Sequence, residues 1–276
     1  MSILHAIVLG LVQGLTEFLP ISSSGHLILA PWLFGWTDFN DIAIERAFDA
    51  SLHLGTLIAV LFYLRAELIP YVREGVKVVV SSKRANVEVG RRAWLFVLSA
   101  VPAGIVGAVA EDWIVEKLGT PALIAISLMA FGVVLVWADR QQGTRNIDSF
   151  TTRDALLIGT AQVLALNPGT SRSGITITAA RKFGYSRDAA ARISFLMSVP
   201  VIGGAVLLKL TKLASDGIPD GLLVPMFVGI VTAGVSGWLA MWGMIRLLRT
   251  RSFTPFVMYR FAVGIGVLSI LATSFR

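Results

Sequence analysis

The chain is a succession of long apolar runs separated by short polar loops. A run of about 20 apolar residues is long enough to cross the hydrocarbon core of a bilayer as a helix. Runs of this kind cover residues 47–64, 93–110, 120–138, 192–211, 222–245 and 254–274. We therefore predict six transmembrane helices, with charged loops between them, the longest being 65–92.

Two further apolar stretches are interrupted near their centres. The first covers residues 3 to about 35 and contains Pro20, which cannot continue a helix. The second covers 155–178 and is interrupted by the polar segment 167–174. Each half of the first stretch is too short to cross the bilayer alone. We therefore expect each stretch to form a re-entrant hairpin of two half-helices that enters and leaves on the same side.

The two interrupted stretches resemble each other. A shift of 149 residues places Gly10 on Gly159, Gln13 on Gln162, Ser22 on Ser171, Ser24 on Ser173 and Gly25 on Gly174. A weaker echo relates 103–107 to 233–237. Three spans separate the hairpins, and an odd number places their mouths on opposite sides. We predict a single domain over residues 1–276 with two inverted repeats, about 1–138 and about 150–276, whose hairpin tips face each other near the midplane.

Composition agrees with an all-α integral membrane protein. Hydrophobic residues make up 55% of the chain and charged residues only 15%. The net charge of +7 is explained by basic loops that orient the protein, so we predict no nucleic-acid partner. The absence of cysteine excludes disulfides and thiolate chemistry. We also expect no cleavable signal peptide, because the N-terminus lacks a basic region.

The basic residues are distributed unequally between the two sides of the membrane. The loops 65–92, 139–153, 181–192 and 246–251 fall on one predicted side and hold seventeen Lys and Arg residues, against five on the other. The positive-inside rule makes the richer side cytoplasmic. We therefore predict a multi-pass membrane protein with both termini and the mouth of the first hairpin on the outer side.

The first hairpin tip carries groups suited to acid–base or nucleophilic chemistry. Gln13 and Glu17 are four residues apart and share one helix face. Three serines at 22–24, then Gly25 and His26, follow the break. Ionisable groups within a membrane are costly and usually functional. The serines also suit close helix packing, so each of them has a structural interpretation as well.

The second tip is suited to binding an anion. Arg172 offers a planar fork of donors that matches phosphate oxygens, and Ser171 and Ser173 flank it. A helix beginning here would add backbone N–H groups and the positive end of its dipole. An anion site facing hydroxyls, a carboxylate and an imidazole indicates phosphoryl chemistry. Of the other histidines, we interpret His5 as interfacial and His53 as a helix-packing hydrogen bonder.

Two long motifs carry a family resemblance. They are Gln-Gly-Leu-Thr-Glu-Phe-Leu-Pro-Ile-Ser-Ser-Ser-Gly-His at 13–26 and Pro-Gly-Thr-Ser-Arg-Ser-Gly-Ile-Thr at 168–176. They resemble the signature motifs of the undecaprenyl-diphosphate phosphatase family, also called the bacitracin-resistance proteins. The resemblance covers nearly the whole chain. It implies a membrane enzyme that converts undecaprenyl diphosphate to undecaprenyl phosphate, recycling the carrier for cell-wall synthesis and giving resistance to bacitracin. It also implies a divalent cation, Mg²⁺ or Ca²⁺.

The resemblance further implies roles for individual residues. Ser23 would be the nucleophile, activated by His26, which could instead protonate the leaving group. Glu17 would hold the cation or orient His26, and Arg172 would stabilise the charge on the phosphate. Direct attack by a water activated by Glu17 or His26 is an alternative. The predicted substrate-binding residues are Gln13, where the family has Glu or Gln, and Ser22, Ser24, Gly25, Thr170, Ser171, Ser173 and Gly174.

Two other functional classes were considered. Inverted repeats with broken helices are also transporter architecture, so a transporter or flippase for an anionic or lipid-phosphate substrate is the alternative function. Lipid phosphatases of the acid-phosphatase type need a histidine nucleophile after their Ser-Arg pair. They are excluded because no histidine follows His53. The oligomeric state is left open, a homodimer included.

Overall fold

A computed structural model describes residues 1–38, 42–81, 85–217, 221–248 and 250–273. Its described residues form α-helices and short 3₁₀ turns. The helices are α1 Ile3–Glu17, α2 Ser23–Phe34, α3 Ile42–Tyr63, α4 Arg65–Val80, α5 Val87–Leu118, α6 Pro121–Asp139, α7 Thr152–Gln162, α8 Arg172–Lys182, α9 Arg187–Asp216, α10 Leu223–Leu248 and α11 Thr254–Leu271.

The predicted all-α membrane fold is confirmed. Five of the described helices, α5, α6, α9, α10 and α11, are long and apolar enough to cross a bilayer. A sixth span is obtained when α3 and α4 are counted as one bent segment. Many large apolar side chains on these helices are exposed, as lipid-facing surfaces require.

The prediction that residues 65–92 form a loop is wrong. Most of this segment is helical, in α4 and the start of α5, and α4 is bent by 87° from α3. Most of its described charged residues lie in these helices, and some of them pair with one another. Glu74 accepts hydrogen bonds from the side chains of Arg73 and Lys77 and from the backbone N–H of Asn86, so its carboxylate ties α4 to the residue that precedes α5.

Both predicted hairpins are broken where the sequence indicates. The first is α1 and α2, and the second is α7, a 3₁₀ turn over 163–166 and α8. Ser22 and Ser171 have φ of 76° and 75°, and they are the only non-glycine residues of the described chain at positive φ. Each hydroxyl caps the following helix, by accepting from the N–H of Gly25 and Gly174 respectively. The equivalent serines thus adopt equivalent strained conformations, and such strain concentrates at functional sites.

The two hairpin tips are hydrogen-bonded directly to each other. Ser22 Oγ accepts from the N–H of Gly169, at 3.0 Å. In the opposite direction, Ser173 Oγ donates to the carbonyl of Leu19, at 2.8 Å. A serine of each tip is thus hydrogen-bonded to the backbone of the other tip.

A buried arginine from the last helix joins the same two tips. Arg260 of α11 has no exposed surface. Its Nε donates to the carbonyl of Pro20, at 2.6 Å, and its Nη2 donates to the carbonyl of Thr170, at 2.8 Å. The Pro20 carbonyl lies in the break after α1, and the Thr170 carbonyl lies in the break before α8. Arg260 therefore fixes the spacing of the two breaks.

Glycine contacts support the two-fold repeat of the sequence. The first hairpin packs through α1 on α10, and the second packs through α7 on α5. A Cβ at Gly10 would lie 2.8 Å from the carbonyl oxygen of Gly229, and a Cβ at Gly159 would lie 2.5 Å from that of Ser99. The shift of 149 residues places Gly10 on Gly159. The second shift, of 130 residues, which places 103 on 233, also places Ser99 on Gly229. Each hairpin therefore packs on a helix of the other half, while the inverted orientation stays a prediction.

The basic loops after α6 and α8 hold a buried polar network. Arg145 forms a bidentate ion pair with Asp154, at 2.7 and 3.2 Å, and Tyr185 donates to the same carboxylate. Arg187 pairs with Asp139 at the end of α6, at 2.7 Å. These arginines therefore hold the open end of the second hairpin in place. From the sequence they were expected only to orient the protein in the membrane, so this structural role was not predicted.

The approach of α1 to α10 yields a stability prediction. A Cβ at Gly14 would lie 2.4 Å from the carbonyl oxygen of Ala233 and 2.7 Å from the backbone N of Gly237, and these backbone atoms cannot rotate away. We expect Gly14→Ala to lower the melting temperature of the purified protein, because overpacking costs about 1–3 kcal/mol. Gly104→Ala is the control, since no atom lies within 4 Å of its new Cβ. A Gly14→Ala protein as stable as wild type would contradict the close packing.

Candidate active site

A polar cavity of about 170 Å³ lies where the two hairpin tips meet. Its walls include apolar residues of α5 and α9, such as Ala103 and Ile202. Its polar lining is Glu17, Ser22, Ser23, Ser24, His53, Gln162, Ser171 and Arg172. Three predicted catalytic residues, Glu17, Ser23 and Arg172, are thus brought together from sequence positions far apart.

Glu17 is the centre of the hydrogen bonds in this cavity. It is the last residue of α1, and its side chain is only 5% exposed. Ser23 Oγ donates to Oε2 at 2.6 Å, Gln13 Nε2 donates to the same oxygen at 3.2 Å, and Arg172 Nη2 donates to Oε1 at 3.0 Å. Three donors, one of them the Arg172 guanidinium, orient the carboxylate towards Ser23.

Arg172 crosses from the second tip to the first. It is the first residue of α8, and besides Glu17 it donates through Nη1 to the carbonyl of Ser194, at 2.8 Å. Its Nε is buried and has no hydrogen-bond partner. The guanidinium therefore keeps donor capacity that a phosphate oxygen could use.

Two helix N-termini add to the positive potential of the cavity. Ser22 and Ser171, which cap α2 and α8, both line it. The first N–H groups of a helix have no intrahelical partner, and the dipole favours negative charge there. Two such termini and Arg172 form an anion site, in which one carboxylate lies beside a serine hydroxyl.

His53 of α3 is a site residue that the sequence interpretation missed. Its Nδ1 lies 2.8 Å from the carbonyl of Asp49, one turn earlier in the same helix, so this contact is not the bond between helices that was predicted. Its other nitrogen, Nε2, lies 3.7 Å from Glu17 Oε2 and faces the cavity. Its position as an ionisable residue within an apolar span was the signal that could have found it.

His26 takes a different position from the one predicted. Nδ1 lies 2.7 Å from the carbonyl of Ser22, so this nitrogen is the donor, and Nε2 lies 2.9 Å from the hydroxyl of Tyr259 in α11. Both ring nitrogens are therefore engaged, and the ring stacks on Tyr259. The hydroxyl of Ser23 is paired with Glu17 instead of His26.

The predicted substrate-binding residues divide into two groups. Ser22, Ser24 and Ser171 line the cavity. The others, Gln13, Gly25, Thr170, Ser173 and Gly174, make contacts that support Glu17 or hold the tips together.

The two glycines of this second group allow the tips to approach. A Cβ at Gly25 would lie 3.2 Å from the backbone N of Gly169, and one at Gly174 would lie 2.7 Å from Arg260 Nη2. Larger residues at these positions would therefore push the opposite tip or the buried arginine away.

The chain matches known proteins over nearly its full length. The family described as "Bacitracin resistance protein BacA" matches residues 6–266. A protein of Geobacter sulfurreducens named undecaprenyl-diphosphatase is 45% identical over 98% of this chain and 99% of its own.

Other bacteria contain similar proteins of the same name. The undecaprenyl-diphosphatase of Hahella chejuensis is 43% identical over 97% of this chain and 98% of its own, and that of Moorella thermoacetica is 41% identical over 98% of both. The family match and the identity of these relatives along their whole length agree with the two motifs that meet in the cavity. The chain belongs to the bacitracin resistance protein BacA family.

Proposed function

We propose that the protein is a membrane phosphatase that hydrolyses the terminal phosphate of undecaprenyl diphosphate, giving undecaprenyl phosphate. The observation that carries this proposal is the arrangement of Ser23, Glu17 and Arg172. The hydroxyl of Ser23 is hydrogen-bonded to the carboxylate of Glu17, and the Arg172 guanidinium, which suits a phosphate, lies beside them. The relatives named undecaprenyl-diphosphatase supply the substrate. Recycling the carrier for cell-wall synthesis and resistance to bacitracin follow from this activity.

In the first step, Ser23 Oγ attacks the terminal phosphorus and transfers its proton to Glu17 Oε2, 2.6 Å away. The bond from phosphorus to the bridging oxygen breaks, and undecaprenyl phosphate leaves with the electron pair and a proton from Glu17. Arg172 and the two helix N-termini stabilise the charge on the equatorial oxygens. His53 faces Glu17 and supports the charge changes of the carboxylate.

In the second step, water attacks the phosphoserine. Glu17 takes a proton from the water and gives one to Ser23 Oγ as the bond to phosphorus breaks, which releases inorganic phosphate. The alternative is a single step in which Glu17 activates water directly. The same carboxylate serves both schemes, and only the first requires the Ser23 hydroxyl.

A divalent cation fits this cavity as a partner of the substrate phosphates. The described residues contain no group of three or more Asp, Glu, His or Cys side chains that could form a metal cage by themselves. Mg²⁺ is commonly held by one or two carboxylates together with substrate phosphates, so Glu17 would be its protein ligand. A bound Mg²⁺ or Ca²⁺ would neutralise part of the diphosphate charge.

A transporter or flippase is the second candidate function. The meeting of two broken hairpins favours it, because transporters use such tips to bind anionic groups. The short bond between Ser23 and Glu17 favours catalysis, since binding alone does not require a hydroxyl paired with a base.

We propose that the protein lies in the bacterial inner (plasma) membrane with both termini on the outer (periplasmic) side, and that the substrate enters from that side. The loop rich in basic residues after α6 would then be cytoplasmic. A homodimer stays a prediction.

The proposed activity is tested by phosphate release from undecaprenyl diphosphate by the protein in detergent, where no gradient exists. We expect release to depend on a divalent cation. A folded wild-type protein that binds the lipid and releases no phosphate would contradict the phosphatase proposal and favour the transporter.

Ser23→Ala tests the covalent mechanism in the same assay. We expect a loss in kcat of at least about 10³-fold, because the nucleophile is removed. Ser81→Ala, in the turn after α4, is the matched control. Near-normal turnover by Ser23→Ala would exclude the covalent mechanism and leave direct attack by water.

Single-cysteine labelling tests the orientation, because the chain has no cysteine of its own. In intact cells we expect a membrane-impermeant maleimide to label Thr37→Cys, between α2 and α3. Gln142→Cys, after α6, should react only after the cells are permeabilised. Both positions are exposed in the structure. The reverse pattern would contradict the proposed orientation.

A further inference from the structure

We infer that Gln162 is a further substrate-binding residue, whose amide Nε2 donates to a phosphate oxygen of the diphosphate. Gln162 is the last residue of α7 and is 1% exposed, yet it lines the cavity that contains Glu17 and Arg172. Neither its Nε2 nor its Oε1 has a hydrogen-bond partner. This inference rests on the proposed phosphatase function only for the identity of the diphosphate.

A buried amide with both polar atoms unpaired is unfavourable. Almost all buried polar groups in proteins have a partner, and those that do not require an explanation. The explanation here is a ligand, because Gln162 lines a cavity that has an arginine and two helix N-termini on the same walls. An anion in that cavity accepts hydrogen bonds and would satisfy Nε2. Oε1 would accept from water that accompanies the head group.

The repeat explains why this glutamine is free while its counterpart is not. Gln13, the equivalent residue of the first hairpin, uses Nε2 to hold Glu17, four residues further along the same face of α1. Four residues after Gln162 the chain has Leu166, which offers no side-chain acceptor. Gln13 thus supports the catalytic carboxylate in the first half, whereas Gln162, at the equivalent position of the second half, is available to the substrate.

The first test compares Gln162→Leu with wild type. We expect KM for undecaprenyl diphosphate to rise about 10–100-fold, the usual effect of losing a hydrogen bond to a charged group. The melting temperature of the ligand-free protein should stay equal or rise, because two unsatisfied buried groups are removed. Gln142→Leu makes the same change on an exposed loop and should alter neither value. An unchanged KM, or a KM increase accompanied by a lower melting temperature, would overturn the inference.

A second variant distinguishes a phosphate contact from a cation contact. Gln162→Glu keeps the size of the side chain but replaces the donor by a negative charge. If Nε2 donates to phosphate, Gln162→Glu should have a higher KM than Gln162→Leu, because the carboxylate repels the substrate. If Gln162→Glu matches wild type or requires less cation, the residue is a cation ligand and the inference is wrong.

Binding of inorganic pyrophosphate separates this inference from the proposed function. We expect pyrophosphate, as a head-group probe, to raise the melting temperature of wild type and to do so less for Gln162→Leu. This difference would support the inference even if wild type released no phosphate, an outcome that would defeat only the phosphatase proposal. Equal stabilisation of both proteins would overturn the role of Gln162, whatever the activity.

Discussion

The ion pair between Glu17 and Arg172 is the interaction on which the site depends. The two charges belong to different hairpins, 155 residues apart in sequence, and their closest atoms are 3.0 Å apart. Removing one partner of a buried pair leaves an uncompensated charge and typically costs about 3–5 kcal/mol. Each hairpin therefore makes the buried charge of the other tolerable. The same pairing brings the serine of the first tip beside the anion site of the second.

The surrounding contacts serve to hold this pair in place. Ser22 and Ser173 bond each tip to the backbone of the other, and the buried Arg260 spans both breaks. Positive φ at Ser22 and Ser171 stores strain of about 1–3 kcal/mol at each break. Because the tips satisfy each other's backbone groups, irregular chain can exist within an apolar domain. Two of the residues with buried polar atoms that lack a partner, Arg172 and Gln162, line the cavity itself.

Much of this fold could be predicted from the long apolar runs of the sequence and from the breaks in them. Pro20 and the polar segment 167–174 mark both hairpin breaks, and the shift of 149 residues identifies serines that share one conformation. The segment 65–92 was predicted wrongly because its charges resembled a loop. A helix whose carboxylate Glu74 pairs with neighbouring basic residues has the same composition.

The site was predictable in its residue types more than in its contacts. Glu17 and Arg172 were identified because ionisable residues in apolar stretches are costly, and Ser23 was identified through the family resemblance. The partner of Ser23 was not predicted, because the direction of the His26 ring depends on Tyr259, which lies 233 residues away in sequence. The places of His53 and Gln162 in the site were not predicted for the same reason, since they follow from the tertiary packing that forms the cavity.

A double-mutant cycle between Glu17→Gln and Arg172→Gln tests most directly whether the two tips form one catalytic unit. The measured quantity is kcat/KM for phosphate release, together with the melting temperature of each protein. We expect each single variant to lose at least about 10²-fold and the double variant to lose little more. Its melting temperature should recover towards wild type, because no unpaired charge remains buried. Losses that multiply, with melting temperatures that fall additively, would show two independent residues and contradict the account.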